Sequence, residues 1–143
     1  MNPALACDYE IRQIYARIQD AVWRKDSSGF SACFAEDALW QIMGRDIEGR
    51  AEIASFLDEA LALSDFVLFQ PSQPLLTMQS QTRALGQVRI TETIKRKSGE
   101  VLCSLGHYED LYELGHGQWQ IRRHSLRLNY LGPPDFSGAL LSP

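Results

Sequence analysis

Of the three histidines in this 143-residue chain, His107, His116 and His124, His107 is the one whose surroundings could make it a base near neutral pH. His107 stands in Gly106-His107-Tyr108-Glu109-Asp110, inside a run of alternating apolar residues that reads as a strand. A period of two puts Glu109 on the His107 face, and Asp110 on the other face with Tyr108 and Tyr112. One reading makes His107 a pocket base supported by a carboxylate from a neighbouring strand or from Asp26. The other makes it a hydrogen-bonded residue at the sheet edge. Asp110 reads either as an acid whose pKa apolar walls would raise, or as the cross-strand ion-pair partner of Arg122 or Arg123. Arg127 could bind an anionic or oxygen-rich ligand through its planar fork, or reach a carboxylate at a subunit interface. Tyr15, Trp23, Trp40 and Trp119 are candidates either for cavity walls or for plain core.

Much other chemistry is missing from the chain. The three histidines are too irregularly spaced to suggest a metal site, and His116 falls in a turn. There is no glycine-rich phosphate loop, no G-x-S-x-G elbow and no context for a cysteine nucleophile, so no cofactor is expected. A net charge of −4 and a pI near 5.3 argue against nucleic acid or an anionic membrane as partner. The cluster Lys95-Arg96-Lys97 reads as a solvated turn. Cys7, Cys33 and Cys103 give no disulfide framework, and neither a signal peptide nor a membrane span is evident. A reduced cytoplasmic protein is expected.

Three long strands have to position the candidates: residues 82–97, 101–114 and 118–131, joined by turns at Lys97-Ser98-Gly99-Glu100 and Gly115-His116-Gly117. On the last strand Trp119 and Ile121 hold one phase, while Leu126, Leu128 and Tyr130 hold the opposite one. A β-bulge is therefore expected near Arg123-His124-Ser125. The middle strand is apolar on both faces and should be central. Upstream, residues 8–25 read as an amphipathic helix capped by Asp8, and a short second helix follows 26–29. A strand is expected over 38–43, a third helix over 51–63, and strands over 66–70 and 75–79. The tail from Gly132 should lie over the surface or a neighbouring subunit. Helices first and strands afterwards point to one α+β domain over residues 1–143, with helices over the concave face of a strongly curved antiparallel sheet. The hollow between the layers is the expected small-molecule site.

The chain resembles the SnoaL-like branch of the nuclear-transport-factor-2-like superfamily. The resemblance rests on Tyr15-Ala16-Arg17-Ile18, Phe34 through Trp40, Asp46 through Arg50, and the long stretch from Gly106 to Tyr130. It implies a cone-like α+β barrel around a hydrophobic pocket, in a homodimer or homotrimer. It also implies either cofactor-free dehydratase, cyclase or isomerase chemistry on an aromatic, steroid or polyketide-like compound, or a non-catalytic role similar to a ring-hydroxylating dioxygenase β-subunit. The His–Asp pair of the dehydratase-like members falls here on Gln70 and Trp23, which cannot accept a proton near pH 7. The strand carboxylate of isomerase-like members falls on Gln41 or Ile42. Arg127 matches an active-site arginine, and Asp26 matches a family position that an alignment shift of three residues would make the dyad aspartate. The resulting expectation assigns His107, Asp110 and Asp26 to catalysis. It assigns Arg127, Tyr15, Trp23, Trp40, Gln70, Tyr108 and Asn129 to ligand contact.

Overall fold

The computed structural model describes residues 2–141. Helix α1 (Pro3–Trp23) starts five residues before the expected position. The start signal is Asn2-Pro3: the Asn2 carboxamide accepts from Ala4 N at 2.8 Å, and Pro3 occupies the first turn, where its missing N–H costs nothing. Asp8, taken as the cap, instead pairs with Arg12 one turn on. The buried stripe runs through Cys7, Ile11, Ile14, Tyr15, Ile18, Ala21 and Val22. Helix α2 (Ser27–Ser31) follows directly, and α3 (Arg50–Ala62) buries Ile53, Leu57 and Leu61. The residue before α3, Gly49, has φ +89°, a conformation that disfavours any side chain.

The strands are β1 (Phe34–Ile42), β2 (Arg45–Glu48), β3 (Ser64–Pro71), β4 (Leu75–Met78), β5 (Arg83–Arg96), β6 (Val101–Gly115) and β7 (Gln118–Gly132). They form one open sheet in the order β2-β1-β7-β6-β5-β3, with β4 also on β5. The expected antiparallel sheet needs one correction: β1 lies parallel to β7. A parallel pair needs a long crossover, and everything from β2 to β6 supplies it.

Two register shifts bend the sheet. Leu111 lies opposite Arg123 but Tyr112 lies opposite Ile121, so Arg122 is an extra residue in β7. Leu105 lies opposite Tyr130 but Gly106 lies opposite Leu128, so Asn129 is a second. The first bulge falls one residue before the expected segment. The second corrects the reading of Tyr130, which it turns to the opposite face from Leu128. There the C-terminal tail covers Tyr130: its hydroxyl donates to the Pro133 carbonyl at 2.7 Å, and its ring packs on Phe136.

The helices cover the face that carries Tyr108, Tyr112, Ile121 and Trp119. Fully burying a Phe34, Ile53 or Val88 side chain stabilises the fold by about 1.5–3 kcal/mol each. The three cysteines are buried and free, and no helix among the described residues is long and apolar enough to cross a membrane.

Candidate active site

Between α1, α2, α3 and the covered face of the sheet lies a cavity of about 250 Å³. Its walls are mainly apolar: Ile18 and Val22 from α1, Phe30 from α2, Phe56, Leu57 and Leu61 from α3, with Trp40, Phe69, Ile90 and Ile94 from the strands. The polar side chains reaching it are few, and they include Ser104, Tyr108, His124 and Glu92.

His124 and Asp110 face each other across β6 and β7 because of the extra residue Arg122. Counted from the turn pair Gly115–Gln118, a regular hairpin would set Asp110 opposite Arg123; one inserted residue brings His124 there instead. His124 Nδ1 stands 2.7 Å from Asp110 Oδ1, with the two side chains 1% and 0% exposed. The Tyr112 hydroxyl donates to Asp110 Oδ2 at 2.6 Å, and the Tyr15 hydroxyl donates to the same oxygen. Three donors therefore converge on one carboxylate, which fixes Nδ1 as the N–H side of the imidazole. Nε2 is left with its lone pair and has no hydrogen-bond partner among the described residues. Burial foremost, and then the charge of Asp110, push the Tyr15 and Tyr112 hydroxyls well above the usual tyrosine pKa, so both stay protonated donors.

The imidazole sits among aromatic rings. Tyr108 stacks on it with centroids 3.5 Å apart and planes 5° apart, and Phe34 meets it edge-on at 5.5 Å. A charged imidazolium would be favoured by the Tyr108 ring face as well as by Asp110. Burial, and secondarily the charge of Glu92, push the Tyr108 hydroxyl above its ordinary value. The nearby Trp40 N–H pulls the other way without reaching hydrogen-bonding geometry, and the hydroxyl proton stays available to a ligand. Trp40 Nε1 is also buried without an acceptor. Burial pushes Glu92 up to about 7. No group of three potential metal ligands occurs among the described residues.

The structure brings four of the expected residues to this site: Asp110, Tyr15, Tyr108 and Trp40. The others lie elsewhere. His107 is on the opposite face of β6, beside Glu109 at 3.4 Å, with Arg89 and Arg127 as its cross-strand neighbours. Asp26 caps α2, accepting from Gly29 N at 2.9 Å, so its carboxylate is committed to a helix end. Arg127 is an exposed side chain 3.5 Å from Glu109. Trp23 is 53% exposed, packed on Phe66 at the surface. Gln70 and Asn129 border a shallow outer groove with Arg89. Neither Arg122 nor Arg123 pairs with Asp110: Arg122 turns to Asp37 and Glu113. Trp119 is core. The sequence pattern sets the bulge on His124 itself, which leaves the face of that side chain undefined. The phase it shares with Leu126 was the available signal.

A SnoaL-like domain profile matches residues 3–125. No curated protein shows significant similarity to the sequence. Among solved structures, the chain superimposes on a candidate scytalone dehydratase from Novosphingobium aromaticivorans with a TM-score of 0.86 and 17% identity, over 99% of this chain and 95% of that one. A type 2 hexachlorocyclohexane dehydrochlorinase (LinA) gives a TM-score of 0.86 at 17% identity, over 99% and 96%. A candidate aromatic ring hydroxylase, also from N. aromaticivorans, gives 0.81 at 19%, over 90% and 94%. Identities this low speak for the fold alone. With the domain match across most of its length, the chain belongs to the SnoaL-like family.

Proposed function

We propose that this chain catalyses a cofactor-free proton transfer, of elimination or isomerisation type, on a compact apolar molecule, with His124 as the base. The observation that carries the reading is the His124–Asp110 pair, fully buried and facing an apolar cavity. Nε2 removes a proton from carbon, and Asp110 holds the imidazole in the competent tautomer and stabilises the cation that forms. The Tyr108 hydroxyl donates to the oxygen on which negative charge develops. A cavity of about 250 Å³ lies at the compact end of small-molecule sites, which favours one- or two-ring compounds over a four-ring steroid. The structural neighbours named for dehydration and dehydrochlorination are consistent with this class of reaction. A purely assembling subunit would have no use for a fully buried His–Asp pair, which is costly to keep dry.

The test is α-proton exchange of 2-tetralone in D2O, followed by loss of the proton NMR signal. The protein should accelerate exchange beyond an equal concentration of free imidazole, and His124→Gln should lower the acceleration by about 10²–10⁴-fold. Acceleration that survives His124→Gln, or none with the unaltered protein, would sink the proposal.

A further inference from the structure

Glu92 is a polar group of the cavity that the proton transfer leaves without a task. It lies mid-strand in β5, cross-strand from Phe69 on β3 and Ser104 on β6, and lines the cavity between Ile90 and Ile94. Its carboxyl makes no hydrogen bond or ion pair among the described residues. Arg96, on the same strand face, has its Nε 3.2 Å from Glu100 Oε1, an ion pair without hydrogen-bond alignment. Glu92 reaches the cavity from the stretch of sheet opposite Ser104, and His124 from the stretch opposite Asp110, with Tyr108 between them on β6. A leucine would fill this wall without leaving a desolvated carboxyl unpaired, so the position is costly unless something in the cavity satisfies it.

We propose that Glu92 contacts the ligand and accepts a hydrogen bond from an O–H or N–H group, so that the substrate is a compact ring carrying a hydroxyl or amino substituent away from the proton His124 removes. The inference rests on the cavity being the reaction site and adds the substrate class. An apolar ring without the donor would leave the carboxyl unpaired, and an unpaired buried acceptor is what lets a polar site reject an isostere. Burial pushes the Glu92 carboxyl up to about 7, in keeping with a group that water reaches only in part.

The experiment compares binding of 2-naphthol and 2-methylnaphthalene, matched in size, by fluorescence titration at pH 7.5. The unaltered protein should bind 2-naphthol about tenfold or more tightly than its methyl counterpart. Glu92→Leu should bring the two within about twofold, and Glu92→Gln should keep part of the preference. Equal binding of both probes, or a preference that survives Glu92→Leu, overturns the role of Glu92 and leaves the proton-transfer site standing. Failure of both probes to bind, with 2-tetralone exchange still lost in His124→Gln, also overturns it. Failure of both binding and exchange overturns the site itself.

Discussion

Replacing Asp110 with asparagine tests the dyad at its most informative point. Asp110→Ala would strand three buried donors, Tyr15, Tyr112 and His124, at about 1–3 kcal/mol each. That sum approaches the whole stability of a domain this size, so the alanine variant would report only on folding. Asparagine keeps the shape. Its carbonyl can still accept from both phenols, while its NH2 points at Nδ1, which must now accept. The imidazole proton therefore moves to Nε2, and the base loses its lone pair. Each of the three bonds loses charge assistance worth about 1 kcal/mol, and the relief of not burying a charge offsets part of this. The net cost is about 2 kcal/mol, a fall in Tm of roughly 4–8 °C. Proton exchange should fall by about 10³-fold or more, with ¹⁵N shifts of the His124 ring reporting the exchanged tautomer. His107→Ala, on the far face of β6, serves as the control and should keep the full rate. An Asp110→Asn protein that exchanges within tenfold of the unaltered one, or whose His124 still carries its proton on Nδ1, would refute this account of the dyad.

Two further outcomes follow from particular positions. Glu92 is raised by burial from 4.5 to about 7, so between those values the folded chain holds a proton that the unfolded chain has released. Stability should then fall as pH rises through this window, by roughly 2 kcal/mol after allowance for the group being half-buried. Arg96, Tyr108 and His124 share the cavity in both proteins, so urea midpoints at pH 4.5 and 7.5 should converge on a flatter profile in Glu92→Gln; parallel profiles would contradict it. At Gly106 a β-carbon would run into the Arg127 carbonyl oxygen across the strand pair. Gly106→Ala should cost about 3 kcal/mol in thermal or urea unfolding, and a cost under about 1 kcal/mol would show that β7 yields easily there.

The elements and faces were open to sequence reading because they follow from short-range patterning. The three long strands, their turns and the opposed faces of His107 and Asp110 come directly from alternation and glycine placement, and the structure has them within a residue or so. What stayed hidden depends on partners distant in sequence. The parallel β1–β7 pair brings Trp40 beside His124, and no local pattern in either strand announces it. The start of α1 turns on a single cap, Asn2, and not on Asp8. At the site, a phase change announced the bulge, but its position was uncertain by one residue. An extra residue at 122 or 123 sets His124 opposite Asp110, whereas one at 124 or beyond would set Arg123 there.

The extra residue at Arg122 stands outside the cross-strand pairing, so the residue count of β7 can change there without touching the dyad. Deleting Arg122 alone would leave an unbroken ladder in which Ile121 still meets Tyr112, Arg123 still meets Leu111 and His124 still meets Asp110. Losing Leu111 from the facing strand would instead take Asp110 out of line with His124. The two strands of one hairpin therefore tolerate changes of length unequally.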